Sequence, residues 1–377
     1  MLLFLLTVVT LCFNVKNTVK TSKWTLNMND QLITSSSIRK LYRLDKRNKS
    51  MQSLFNAEEK NEIPKAQRIA RGKVLVRNWT IDQLPAIGRK FGFLNLPEKP
   101  VVYTKYIPKG GVLKTTTTYN EARTYALNGI KTLIIGQDEE CSITDVTLPK
   151  KEVIRLEDNE NRLGLYHFFV EGAPMESVIK KTSLPTLDII PETHDLVVLD
   201  KWLSQQPRRE YIYRDKLLPE LLNRYDVIIF DNGSGWNHRI ENAIVCSDAV
   251  VTPLGCNLLA YNAVETNLAT IIDFQNTMQL ANQQLIMFST MLGRSTLSQQ
   301  INSAYLSKYK DLVLPISIRF SVKGEEALMK NQTIMEYAPK SPLAEDCYRL
   351  ITAMWDVLLY KKTIHEIQLQ IADDGEE

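Results

Sequence analysis

Apolar positions fall into two regimes along the chain, and the change comes near residue 100. Ahead of it, apolar residues recur three and four apart over Ser35–Leu44 (Ile38, Leu41, Tyr42) and again over Lys49–Lys60 (Met51, Leu54, Phe55). That spacing predicts two short helices joined by the charged turn Asp45–Asn48. Arg68–Arg77 (RIARGKVLVR) places a basic glycine turn between two short strand-like pieces, and Thr80 with Gln83 stands in capping-box spacing at the start of a third helix, Thr80–Phe91. Helix, polar turn, helix and basic hairpin trace a winged helix-turn-helix over residues 28–93. Leu94–Pro100 (LNLPEKP) reads as a linker.

Beyond the linker the runs lengthen and become continuously apolar: Val101–Ile107, Thr132–Gly136, Leu187–Pro191, Val227–Asp231, Ala249–Pro253, Leu285–Thr290 and Val313–Ile318. Helical stretches, the first of them Lys114–Asn128, separate most of these. Strands alternating with helices predict an α/β domain over 101–362 with a doubly wound, mostly parallel sheet. Residues 363–377, ending IADDGEE, read as an acidic tail. The uncharged stretch Met1–Phe13 is shorter than the roughly 20 residues a bilayer needs, and its first charge is Lys16. Without a positive n-region it makes a poor signal, so residues 1–27 are expected to precede a true start at Met28.

Composition narrows the class. With 377 residues, 44% hydrophobic and 24% charged, the chain is neither collagen-like nor low-complexity nor disordered. Its five cysteines (Cys12, Cys141, Cys246, Cys256, Cys347) form no CxxC, which argues against a structural zinc site or a disulfide scaffold and for a reducing, cytoplasmic setting. The net charge of +3 conceals an imbalance: twelve lysines and arginines against four acids lie between Ile38 and Asn78, ahead of an acidic remainder. Such a block suggests a module that binds nucleic acid. Arg47, Lys49 and Gln52 stand at the start of the candidate recognition helix, where side chains reach base edges. Arg71 and Lys73, on the wing, suit phosphates.

The clearest chemistry lies in Pro108–Thr118, PKGGVLKTTTT, between the first long strand and its helix. Gly110 and Gly111 let backbone N–H groups approach oxygens, and a helix N-terminus offers its positive dipole end. Lys114 neutralises charge, and the Thr115 hydroxyl can ligate magnesium. This is a phosphate cradle, although Pro108 and Leu113 occupy the glycine positions of GxxxxGK[ST]. What stands instead is KGGxxKT, opened by Lys109.

With these residues in view, the sequence resembles the ParA branch of deviant Walker-type ATPases, which segregate plasmids and chromosomes. The matching segments run in order: KGGVLKTTTTYNEARTYALNGIKTLII, LDIIPETHD (Leu187–Asp195), YDVIIFDNGSGWNHRIENAIVCSDAVVTP (Tyr225–Pro253), TMLGRSTLSQQI (Thr290–Ile301) and IMEYAPKSPLA (Ile334–Ala344). The basic block is similar to the winged helix-turn-helix of larger plasmid members. The resemblance implies ATP/ADP and Mg2+ as ligands, held by Lys109, Gly110, Gly111, Val112, Leu113, Lys114, Thr115 and Thr116. It implies that Lys109 reaches the partner's phosphates across a sandwich homodimer, that Lys114 holds the β- and γ-phosphates, and that Thr115 and Asp231 hold magnesium, Asp231 through water. Asp138 would position the attacking water. Arg294 and Arg319 fall in segments that carry nonspecific DNA contacts. The chain departs from the family at Gly136, where an aspartate is usual, at Glu139-Glu140, which replaces Pro-Gln, and at Asn232-Gly233, which replaces a double proline.

These implications describe a cytoplasmic, nucleoid-associated ATPase that partitions DNA together with a centromere-bound ParB-like protein. Its N-terminal module would repress its own operon through an operator. Gly136 keeps open a second reading, a nucleotide-sensing repressor with little hydrolysis. Stable membrane association is not expected, because Trp355–Tyr360 reads as a core-packing stripe and the chain ends in acids.

Overall fold

The computed structural model describes residues 32–47, 49–158 and 162–373; the apolar stretch 1–13, Cys12 and Met28 lie outside the described residues. The N-terminal part contains β1 (Ile33–Thr34), helices α1 (Ser35–Leu41) and α2 (Met51–Glu59), hairpin strands β2 (Gln67–Arg71) and β3 (Val74–Trp79), and helix α3 (Leu84–Phe91). The strands form an antiparallel sheet in the order β1-β3-β2. The predicted helices are shorter than the apolar spacing suggests. α1 ends at Leu41 and a 3-10 turn occupies Leu44–Arg47. α2 starts only after Ser50, whose hydroxyl accepts from the Ser53 N–H as an N-cap. At the third helix, the Gln83 side chain accepts from the Thr80 N–H at 3.0 Å, as the capping-box spacing requires.

The apolar runs after residue 100 become β4 (Val101–Lys105), β5 (Thr132–Gln137), β7 (Leu187–Ile190), β8 (Val227–Asn232), β9 (Ala249–Gly255), β10 (Gln284–Leu292) and β11 (Val313–Arg319). With the short β6 (Lys180–Lys181) they form an eight-stranded sheet in the order β11-β10-β9-β4-β8-β5-β7-β6. Only β6 runs antiparallel, to β7. Every residue of β4, β5, β7, β8 and β9 is buried, the mark of parallel strands covered on both faces. β4 is followed by helix α4 (Lys114–Leu127), buried along almost its whole length.

The described chain from Leu32 onward is one compact unit. The N-terminal helices share a hydrophobic core with the sheet: Ile38, Leu41, Leu54, Ile87 and Phe91 belong to the same cluster as Tyr103, Tyr125, Ile134 and Trp355. Buried Tyr42 seals the junction, its hydroxyl lying 2.8 Å from the carbonyl oxygens of both Leu84 and Leu127. The stretch read as a linker is pinned at its start. Asn128 accepts from the Phe93 and Leu94 N–H groups, and Trp355 donates to the Asn95 carbonyl at 3.0 Å.

The C-terminal segment corrects the sequence reading. Ile364–Asp373 is a helix rather than a tail. Thr363 and Glu366 cap it reciprocally, and Ile364 and Ile367 are buried in the core. Upstream, Trp355, Val357 and Leu358 are buried, as expected of a core-packing stripe, with Trp355 against Tyr125.

Candidate functional site

Strand order decides where a site forms. After β4 the chain passes to β5 on one side of the sheet, whereas β9 and β10 lie on the other. The crevice at the carboxyl end of β4 is a topological switch point, the usual ligand position in open α/β sheets. The loop 108–113 fills its rim. A Cβ added at Gly110 or Gly111 would meet nothing within 4 Å, and Gly111 has φ +71°, so the backbone there is open to an incoming group. Leu113 takes a left-handed φ of 63° at the N-cap of α4, a conformation that costs a non-glycine residue about 1–2 kcal/mol and gathers at ligand sites. Thr290 anchors the loop by donating to the Val112 carbonyl, and Thr117 donates to that of Leu113. Thr116 lies in the first turn of α4, where its carbonyl accepts from Asn120.

Lys114 is buried, its ammonium donating to the Lys109 carbonyl at 2.8 Å. Burial draws its pKa down, while Asp231, Asp138 and Glu140 work against that fall. At the end of β8 the fully buried Asp231 accepts from Thr115 at 2.8 Å and from Thr118 at 2.5 Å. Burial raises its pKa; the two threonines, Lys105 and Lys114 pull it back. Asp138 lies just past β5, its Oδ1 only 3.2 Å from the position of a Cβ on Gly233. Glycine after Asp231-Asn232 therefore lets the two carboxylate-bearing segments close together. Buried Arg239 pins the Asp138 turn, donating to the Gln137 carbonyl and to Glu139 at 2.6 Å.

Sequence reasoning missed two members of this region. Lys105 is fully buried at the end of β4 and pairs with Glu121 at 2.5 Å, while Tyr103 donates to the other Glu121 oxygen. The available signal was a lysine closing the apolar run VVYTK with a glutamate in the following helix. The other is Glu192, fully buried just past β7 and packed over Gly136. Burial chiefly pushes its pKa up, to about 8 from 4.5, with the Thr144 hydrogen bond opposing and Asp231 reinforcing.

Since the folded state holds the Glu192 proton to higher pH than the unfolded chain, its contribution to stability is complete below about pH 4.5 and is lost as pH climbs to about 8. Glu192→Gln should flatten the fall in melting temperature between pH 6 and 8, as read by thermal denaturation. An equally steep fall in the variant would assign the slope to other groups.

Five of the candidate DNA contacts lie in the N-terminal part, ahead of β4. Arg47 donates to the Phe91 carbonyl at 2.8 Å and Lys49 to that of Lys90 at 3.3 Å, so both side chains bond the C-terminal end of α3 from the segment before α2. Gln52 is exposed on α2, where it donates to Asn56. Arg71 and Lys73 flank Gly72 at the exposed hairpin tip. Several other members of the basic block are engaged internally: Arg68 and Arg77 both bind the buried Glu58, and Arg43 binds Glu345. Arg294 is exposed just past β10. Arg319, at the end of β11, grips Asp346 with two bonds of 2.6 and 2.8 Å.

A family model described as an AAA domain matches residues 104–287, which take in the loop, Asp138 and Asp231. The chromosome partitioning protein ParA of Caulobacter vibrioides is 30% identical over 221 residues, covering 56% of this chain and 79% of that protein. The chain belongs to the ParA family of partition ATPases. The sporulation initiation inhibitor protein Soj of Bacillus subtilis is 28% identical over 238 residues, 63% of this chain and 91% of that protein. A plasmid partition protein from Borrelia burgdorferi bound to AMPPNP has a TM-score of 0.55 at 22% identity, over 67% of this chain and all of that one. Cobyrinic acid a,c-diamide synthase from Mycobacterium smegmatis, with a bound ATP analogue and magnesium, gives 0.56 at 20% identity over 68% and 95%. At these identities the solved structures speak for the fold, a P-loop NTPase α/β domain with a mostly parallel sheet. Among the described residues no helix is long and apolar enough to cross a membrane.

Proposed function

We propose that this ParA-family chain is an ATP-driven DNA partition protein, cytoplasmic and carried on the nucleoid. The observation that carries the reading is the convergence of the open Gly110-Gly111 loop, the buried Lys114 ammonium and the Thr115–Asp231 hydrogen bond at one strand-end crevice. Backbone N–H groups from Gly110 to Thr116 would cradle the phosphates of ATP, with Lys114 leaving the Lys109 carbonyl to meet the β- and γ-oxygens. Thr115 and, through water, Asp231 would hold magnesium, which when bound neutralises charge building on the phosphates. Asp138 is the group to orient the attacking water. Lys109 would complete the site of a second copy, so that ATP closes a sandwich homodimer. The AMPPNP-bound Borrelia protein and the nucleotide-bound synthase support this assignment of ligands.

The dimer would bind DNA without sequence preference through Arg294 and Arg319 and let go when a ParB-like partner stimulates hydrolysis. The order of two helices, a hairpin and a third helix over residues 32–91 supports reading this part as a winged helix-turn-helix, and Arg71 and Lys73 at the hairpin tip would contact operator phosphates in autorepression. Retention of unrelated duplex DNA should require ATP and should weaken steeply, on the order of 10³-fold, between 50 and 200 mM salt. Arg294→Ala should lower it, whereas the pair Arg71→Ala and Lys73→Ala should spare it and weaken operator binding instead. Retention indifferent to nucleotide would contradict the switch and favour the repressor reading.

A further inference from the structure

The space a side chain would need at position 136 is already filled. A Cβ on Gly136 would lie 2.5 Å from Glu192 Cδ, 2.6 Å from its Cγ and 2.9 Å from Oε1. Glycine is thus the residue that this packing permits. Gly136 is paired in register with Asp231 on β8, and Asp231 with Lys105 on β4. Residues in register on neighbouring strands present their side chains to the same face. Glu192, reaching over Gly136 from the end of β7, therefore brings its carboxyl into the row that holds Lys105 and Asp231, on the face covered by α4.

The same carboxyl has a second set of bonds. It accepts from the Thr144 N–H at 3.1 Å, from the Ile143 N–H at 3.4 Å and from the Thr144 hydroxyl, whose oxygen in turn accepts from the Glu192 N–H. These groups open the helix Ser142–Thr147, which follows directly on the turn carrying Asp138. One side chain so connects the end of β7, the row of Asp231 and the segment that suspends Asp138. A buried carboxyl without such partners would be costly; here its oxygens are engaged and its position is fixed.

We propose that Glu192 is a positioning residue for hydrolysis: its carboxyl, supplied from a neighbouring strand, does the work of the side chain that Gly136 lacks by holding the Asp138 turn against the Asp231 row. The inference rests on the ATPase reading above. Gly136 leaves open the space beside Asp231 that this carboxyl occupies.

The test is to move the carboxyl to position 136. Glu192→Ala should bind a fluorescent ATP analogue within about threefold of wild type, yet lose about 10- to 100-fold in stimulated turnover, the scale of a displaced catalytic group. Gly136→Asp alone should also fall, since its Cβ meets Glu192. The double variant Gly136→Asp/Glu192→Ala should recover turnover to within severalfold of wild type, and Gly136→Asn/Glu192→Ala should not. A merely space-filling Glu192 would let asparagine rescue as well as aspartate, which would overturn the proposal, as would full turnover in Glu192→Ala or failure of the aspartate double variant. Hydrogen–deuterium exchange over residues 138–147 in the nucleotide-free protein gives a readout independent of catalysis. Glu192→Ala should raise it by tenfold or more, and unchanged exchange would also overturn the proposal. If wild type itself never turns over with DNA and partner, the ATPase reading fails, and the exchange data still decide the part concerning Glu192.

Discussion

Lys114→Gln is expected to reduce ATP turnover by on the order of 10²–10³-fold, the usual cost of removing one donor that stabilises developing charge. Its ammonium is buried beside the loop, 2.8 Å from the Lys109 carbonyl, and would exchange that partner for phosphate oxygens. Glutamine keeps much of the length and loses the charge. It also removes a buried cation opposite Asp231, whose pKa Lys114 helps hold down. The folded state should survive, because the Asp231 oxygens keep Thr115 and Thr118. Steady-state hydrolysis and the melting temperature together check this: large loss of rate with a small change in melting temperature. Loss of both in proportion would mean that Lys114 acts on folding rather than on nucleotide.

Gly88→Ala should be the most damaging single methyl outside the nucleotide crevice. A Cβ there would lie 1.8 Å from the Leu127 carbonyl oxygen and 2.9 Å from the Asn128 Cα. Both are backbone atoms at the end of α4, and no rotamer change relieves such contact. The same carbonyl faces the Tyr42 hydroxyl at 2.8 Å, so α1, α3 and α4 meet at one point. Overpacking at that point is expected to cost about 3 kcal/mol and to loosen the N-terminal module from the sheet domain. Thermal denaturation with limited proteolysis near residues 92–100 would show it. Gly235→Ala, where a Cβ meets nothing within 4 Å, is the matched control and should change little. Wild-type stability in Gly88→Ala would contradict the shared core.

How much of this was legible in the sequence depends on the range of the forces involved. The seven parallel strands follow from continuous apolar runs such as Leu133–Ile135 and Ile228–Phe230; in β4, β5, β7, β8 and β9 burial on both faces leaves no room for polar alternation. The phosphate loop was legible because its chemistry is local, glycines and a Lys-Thr pair within one turn. The Lys105–Glu121 pair left only a faint signal, a lysine closing VVYTK and a glutamate 16 residues on, because it joins a strand to the facing side of a helix. Glu192 was equally hidden: only the pairing of β5 with β7 brings it over Gly136. Counting charges overstated the N-terminal surface for a related reason. Arg68 and Arg77 are spent on the buried Glu58, and Arg47 and Lys49 on carbonyls, which leaves Arg71 and Lys73 as the members of the predicted contact set that stand exposed at a tip. The end of the chain was misread because its acids outnumber its bases, although Ile364 and Ile367 recur at helical spacing behind a Thr363–Glu366 cap.

The central claim, a nucleotide switch driven by hydrolysis at the Lys114–Asp231 crevice, is tested most directly by ATP turnover of the full 377-residue chain. The assay runs alone, with DNA, and with DNA plus the ParB-like partner, beside Lys114→Gln. The account predicts slow turnover alone and a severalfold rise when both additions are present, all of it absent from Lys114→Gln. ATP that binds but is never hydrolysed above the Lys114→Gln background would contradict it, and would make this chain a nucleotide-sensing repressor.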